Sequence, residues 1–229
     1  MQATRIIAVR HGETDWNAAT RIQGHTDIAL NAAGLAQAQQ LGLALASDDI
    51  DAVYASDLSR AATTAQAVAK HHGLAVQLHP GLRERHFGHF EGLTWAQIEA
   101  DHPADALAWR NRDTAFAPHG GESLEVLKVR VQRTLNEIAA RHMGQHIVIA
   151  AHGGIMDQLY RMATKLDLQT KRSWHLGNAA INRLLWTPTS LSLVIWGDTQ
   201  HLPQDSTQDN TREATQPNSA HGSPNNTSI

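Results

Sequence analysis

The sequence predicts an α/β fold built around a mostly parallel sheet. Three observations lead there. Short apolar, β-rich runs stand at Ile6–Val9, Ala52–Ala55 and Ile147–Ala151, the pattern of strands buried on both faces. Segments of helical periodicity alternate with them, as parallel strands require crossovers. Two further apolar runs, Ala180–Trp186 and Leu191–Trp196, are separated only by Thr187-Pro188-Thr189-Ser190, which predicts a closing hairpin and an antiparallel edge.

The elements follow in order. Ile6-Ile7-Ala8-Val9 is the first strand and runs directly into Arg10-His11-Gly12. Asn31 is a candidate N-cap for a helix to about Ala46, with Leu35, Ala38, Leu41 and Leu45 at helical spacing. Ala52–Ala55 is the second strand. A helix from Ser59 to His72 stops at Gly73, and Ala75–Leu78 gives a short third strand. The stretch from Pro80 to His119 is irregular, with short helices expected at Trp95–Asp101 and Asp105–Arg112. Its position suggests a cover over a site. Ser123 to His142 forms a long amphipathic helix with Leu124, Leu127, Val131, Leu135 and Ile138 on one face. After the strand Ile147–Ala151, a helix runs from Ile155 to Ala163. No internal repeat is present.

The expected domain spans residues 1–202. From Pro203 onward Gln, Asn, Ser, Thr and Asp dominate and aromatics vanish. Such a tail cannot bury enough apolar surface to offset its ordering entropy, so residues 203–229 are expected to be disordered. Asn225-Asn226-Thr227 matches a glycosylation pattern, which we read as chance in a chain without an export signal.

Composition excludes several classes. The 19 basic and 22 acidic residues leave a net charge of -3, which gives no global field for nucleic acid or an anionic membrane. No cysteine is present, so disulfides, thiolate zinc sites and cysteine nucleophiles are ruled out. The amino terminus lacks the apolar stretch of a signal peptide, and no run reaches the roughly 18 apolar residues of a bilayer span. A cytoplasmic protein is expected. The 15 histidines are scattered, with no helical His-x-x-x-His beside an acidic partner, so no metal or cofactor is expected.

Two histidines have context. His11 and His152, in Arg10-His11-Gly12 and His152-Gly153-Gly154, each follow the carboxyl end of a buried strand. Ligands of open α/β sheets bind outside those ends, and the glycines let the backbone approach closely. Arg60 lies in the first turn of its helix, where the amino end favours anions and a guanidinium adds a bidentate fork. Arg10, Arg60 and a protonated His152 would surround a phosphoryl group, whose transition state spreads charge over three oxygens. His11, neutral at its attacking nitrogen, would be the nucleophile. Glu84 is the candidate acid for the leaving oxygen. Taken singly, each residue has a plainer reading. Arg60 could pair with Asp57 three residues earlier, and Glu84 could sit in a solvated cluster with Arg83 and Arg85.

The ordered set weighs more. Val9-Arg10-His11-Gly12-Glu13-Thr14-Asp15-Trp16-Asn17, Ala55-Ser56-Asp57-Leu58-Ser59-Arg60-Ala61, Leu82-Arg83-Glu84, Phe87-Gly88-His89-Phe90-Glu91-Gly92, Gly121-Glu122-Ser123 and Ala151-His152-Gly153-Gly154 occur in this sequence. Together they resemble the histidine phosphatase superfamily, the phosphoglycerate mutase-like proteins, from about Thr4 to Trp196. The resemblance implies a Rossmann-like three-layer α/β sandwich with one active site. It places the nucleophile on His11, the phosphate pocket on Arg10, Arg60 and His152, and the acid/base carboxylate on Glu84. It adds Asn17, Gln23, Gly24 and Gly153 on the substrate side. It implies metal-independent hydrolysis of a small phosphorylated metabolite through a phosphohistidine, and makes a homodimer one option.

Two alternatives compete with that reading. A cofactor-dependent phosphoglycerate mutase would return the phosphoryl group to a second hydroxyl. Similar mutases carry a longer insertion after the Glu84-like block, whereas Gly92 to Gly120 is short here. A non-catalytic phosphate-binding scaffold would lack at least one of His11, Arg60, Glu84 and His152, and all four are present. Trp95, Trp109, Arg110 and Arg112 either shape the pocket or pack a lid and meet solvent.

Overall fold

A computed structural model of the chain describes residues 2–203. The tail expected to be disordered, with the Asn225 glycosylation match, lies outside the described residues apart from Pro203. Six strands form one sheet: β1 (Thr4–Arg10), β2 (Ala52–Ala55), β3 (Val76–Leu78), β4 (His146–Ala151), β5 (Ile181–Thr187) and β6 (Ser190–Asp198). Their order is β3-β2-β4-β1-β5-β6. β1, β4, β2 and β3 pair in parallel, while β5 runs antiparallel to β1 and β6 antiparallel to β5. The closing hairpin is therefore the antiparallel edge, turned by Pro188-Thr189, with Thr187 Oγ1 accepting from the Ser190 N–H at 3.1 Å.

Seven helices are described: α1 (Asp15–Ala18), α2 (Ala32–Ala44), α3 (Ser59–His72), α4 (Trp95–Asp101), α5 (Pro103–Arg110), α6 (Leu124–Ala140) and α7 (Gly153–Thr164). Short 3-10 turns stand at Pro80–Leu82 and Gly88–Phe90. Side chains alternate across each strand, so each face of the sheet builds its own core. Ile6, Ala8, Ile147 and Ile149 pack with Leu127, Val131, Leu135 and Ile138 of α6 and Ile155 and Leu159 of α7. Ile7, Val9, Val148 and Ala150 pack with Leu41 and Leu45 from α2 and its end and Ala65 and Val68 of α3. Each Ile, Leu or Val among them contributes about 1.5–3 kcal/mol by leaving water. The result is the three-layer α/β sandwich. None of the described helices is long and apolar enough to cross a membrane.

The structure differs from the sequence expectations in places. Leu35 fits the spacing of the buried α2 face, yet it is 45% exposed. Gln37 takes a buried place instead, accepting from the Glu13 N–H at 2.8 Å. Leu124, in the first turn of α6, is only half-buried and lines a cavity. α5 begins at Pro103 rather than Asp105, because proline's fixed φ and missing N–H suit a first helical position. Arg112 lies beyond its end with φ 51°. The short α1 was not expected. Thr14 caps it reciprocally with Asn17, in a box whose third position is Asn rather than Glu or Gln.

Candidate active site

Parallel pairing of β1 with β4 aligns Arg10 with Ala151. The next residue of each strand is a histidine, and the His11 N–H donates to the Ala151 carbonyl at 3.0 Å. The two imidazoles are thereby brought together, with ring centroids 5.2 Å apart. His11 Nδ1 stands 2.7 Å from the Gly12 carbonyl. A carbonyl can only accept, so the neutral ring carries its proton on Nδ1 and presents a lone pair on Nε2. Burial, then the charges of Arg60 and Arg10, hold the His11 pKa well below the usual imidazole range. The Asn178 amide fixes the strand end by donating to the His11 carbonyl at 2.8 Å.

Arg60, at the start of α3, is fully buried. Its guanidinium donates to the Thr26 carbonyl at 2.9 Å and the Gly24 carbonyl at 2.7 Å. It does not pair with Asp57. That carboxylate is held by a two-pronged contact from Arg83, at 2.8 and 2.6 Å. Glu84, Asp27 and Glu91 lie near enough to favour the Arg60 charge, against the burial that opposes it. Arg10 is 3% exposed and donates to the Leu176 carbonyl.

Glu84 is not part of a solvated cluster either. Arg83 is taken by Asp57, and the Arg85 side chain donates to the carbonyls of Glu122 and Phe116. The Glu84 carboxylate caps the start of α7. The Gly154 N–H lies 2.9 Å from its Oε1 and 3.1 Å from its Oε2, and the Arg85 N–H donates to Oε1 at 2.7 Å. An anion is favoured at a helix amino end. A Cβ on Gly154 would stand 2.3 Å from Glu84 Oε1, so glycine is what lets the carboxylate come this close.

His11, Arg10, Arg60, Glu84, Asn17, Gln23, Gly24 and Gly153 all line one cavity of about 780 Å³. His152 differs from expectation. It is fully buried, does not line the cavity, and neither ring nitrogen has a hydrogen-bond partner. Burial, then Arg60, His11 and Arg10, hold its pKa well below the usual range. The protein's own groups thus favour a neutral His152, where the sequence suggested a protonated one. A neighbouring dianion supplies the opposite charge that would restore the proton. Asn17 has its Oδ1 committed to the Thr14 N–H and hydroxyl. Trp95, Trp109 and Arg112 line the cavity, while Arg110 stays outside it and pairs with Glu99.

Sequence reasoning missed the groups that hold these side chains in place. The Glu91 carboxylate accepts from the His25 N–H, the Thr26 N–H and hydroxyl, and the Phe87 N–H. Burial opposes its charge, but these donors outweigh it and lower its pKa. Arg130 grips Glu122 through two contacts and also donates to the carbonyls of Gly81, Arg83 and Glu84. Glu91 and Glu122 stood inside recognised segments without a role. Asn178 lies in an irregular segment and gave no signal.

Two neighbouring strand-end histidines, one of them facing a cavity that a buried arginine and a carboxylate also line, match a known family. The sequence profile of the histidine phosphatase superfamily (branch 1) matches residues 6–199. The chain belongs to the histidine phosphatase superfamily. It is 38% identical to phosphoglycerate mutase-like protein 4 of Arabidopsis thaliana, over 87% of this chain and 87% of that protein. It is 35% identical to the metal-independent phosphoserine phosphatase of the same plant, covering 88% of this chain and 84% of that one. Among solved structures, mycobacterial glucosyl-3-phosphoglycerate phosphatase in complex with VO3 is similar, with a TM-score of 0.76 and 34% identity. That match covers 85% of this chain and 99% of the other. The protein is a phosphatase of this superfamily.

Proposed function

We propose that hydrolysis proceeds without a metal, in two steps, through a phosphohistidine on His11 Nε2. The observation that carries this reading is the Nδ1 contact to the Gly12 carbonyl, which leaves the Nε2 lone pair free in a cavity whose lining includes the guanidinium groups of Arg10 and Arg60. In the first step Nε2 forms a bond to phosphorus, and the bond to the ester oxygen breaks. Glu84 gives that oxygen its proton. The Gly12 carbonyl stays on the Nδ1 proton and eases the positive charge that the ring acquires. In the second step water attacks phosphorus, Glu84 takes a proton back, and His11 is released. Arg10, Arg60 and a His152 protonated beside the dianion supply the positive charge that a metal supplies elsewhere.

The cavity also supports a small organic leaving group. Trp16, Phe87, Trp95 and Trp109 form its apolar walls, and Gln23 and Gln158 its polar ones. Both amide atoms of Gln158 are buried without a protein partner, as is Gln23 Oε1. A leaving group with hydroxyl or amino groups would satisfy them. The setting we propose is the cytoplasm, with a soluble phosphorylated metabolite as substrate.

The test is inorganic phosphate release from a panel of phosphomonoesters in excess EDTA, with phosphoserine and glucosyl-3-phosphoglycerate included. We expect release with a few clear favourites, and none from His11→Ala. Near-normal release by His11→Ala would overturn the mechanism. Transfer of phosphate to a second hydroxyl, with no release, would instead identify a mutase.

A further inference from the structure

Outside the cavity, the segment that covers it brings together three metal-ligating side chains. His89 lies in the 3-10 turn Gly88–Phe90, His102 at the junction of α4 and α5, and Asp105 in the first turn of α5. Nitrogen and oxygen atoms of the three fall within 4.8 Å of one another. Periodicity does not reveal the group, because the two histidines stand 13 positions apart and no helix carries both.

The detail that raises this above a chance cluster is the orientation of His89. Its Nδ1 faces the His119 carbonyl at 3.3 Å. The neutral ring therefore places its proton there and turns the Nε2 lone pair towards Asp105 Oδ2, 3.6 Å away. A histidine that ligates a metal characteristically donates its other N–H to a carbonyl in this way. Two ligands about 2.1 Å from one zinc ion at a tetrahedral angle stand about 3.4 Å apart. An ion pair of His89 with Asp105 needs no third group, yet the His102 ring is centred 4.7 Å from that of His89. Rotation of this half-buried ring completes three ligands and leaves the fourth position to water or the exposed His119.

We propose that His89, His102 and Asp105 form a binding site for a transition-metal dication of the Zn2+ class, separate from the reaction centre. Two imidazoles and a carboxylate suit Zn2+ better than the hard cations Ca2+ and Mg2+. The ion would tie the turn carrying Phe90 to α4 and α5, whose Trp95 and Trp109 line the cavity. None of the three ligands lines it, so the site stands or falls independently of the phosphatase chemistry.

The test is a Co2+ titration of the full chain carrying His11→Ala, which removes the nucleophilic imidazole as a competing ligand, read by visible absorption and repeated with Zn2+ by calorimetry. We expect a four-coordinate band that saturates at one ion per chain. His89→Gln and Asp105→Asn should each weaken binding by at least about tenfold while leaving the far-UV spectrum unchanged. Equal affinity in Asp105→Asn, or no saturable binding to the His11→Ala chain, overturns the proposal. Asp105→Asn is near-isosteric at a partly exposed position, so it decides the matter should His89→Gln fail to fold.

Discussion

The Glu84 carboxylate sits on the Gly154 N–H, 2.9 Å from one oxygen and 3.1 Å from the other. The acid/base candidate is thus aimed by the helix that begins just after His152. An alanine at 154 would press on the end of a flexible side chain, not on backbone. Glu84 would therefore swing away at little cost to the fold. Gly154→Ala should change stability by no more than about 1 kcal/mol, because the helix propensity gained is set against the Glu84 cap hydrogen bonds lost. Turnover of esters with poor leaving groups should fall, and turnover of activated aryl phosphates should fall much less. Parallel urea melts and kcat measurements check this, and equal losses on both substrates would argue against Glu84 as the acid.

Arg60 holds its place by directed contacts to the Gly24 and Thr26 carbonyls, not by charge alone. Lysine keeps the charge but not the fork. Arg60→Lys should lower kcat/KM by roughly 10²–10³-fold, the scale of losing one fixed oxyanion donor. Steady-state kinetics at constant ionic strength measures it, and a change below threefold would remove Arg60 from the reaction centre.

Glu91 ties three donors of the segment that supports Arg60, on His25 and Thr26, to the Phe87 N–H. Glu91→Gln turns two acceptor oxygens into one and places an NH₂ against existing donors. The expected cost is about 1–3 kcal/mol of stability. Because Gly24, at φ 57°, packs against this carboxylate, KM should rise as well. Urea unfolding and kinetics on the same preparation test both effects.

The two strand-end histidines also predict a pH dependence of stability. Burial and the nearby arginines depress both folded-state pKa values well below 6.5. In the unfolded chain they titrate near that value, so below it the unfolded state binds more protons. Stability should be fully present above about pH 6.5 and decline as pH falls towards the folded values. Replacing His152 with Asn should flatten the slope of unfolding free energy between pH 7 and pH 5. An unchanged slope would mean that His152 is not buried in its neutral form.

Much of this molecule could be read from its chain. Ile6–Val9 and Ile147–Ala151 are apolar on both faces, so they had to be central strands. A histidine followed by glycine at the end of each strand had to lie at the carboxyl edge of the sheet. The α6 stripe of Leu127, Val131, Leu135 and Ile138 is a single periodic signal and is buried as read. The supporting residues were not legible. Glu91, Glu122, Arg130 and Asn178 have no periodicity to betray them, and most of the groups they hold, such as Thr26 for Glu91 and His11 for Asn178, lie far away in sequence.

By itself the sequence determined the strand and helix types, the order of the core elements and the chemical character of His11, Arg10, Arg60, His152 and Glu84. Those depend on local periodicity and on side-chain chemistry, which each segment carries alone. Tertiary structure decided which histidine faces the cavity, and that Arg60 binds carbonyls while Asp57 goes to Arg83. It also decided that Glu84 rests on Gly154 and that His89 meets Asp105. These are distances between atoms far apart along the chain, and only the packing of helices onto a twisted sheet sets them.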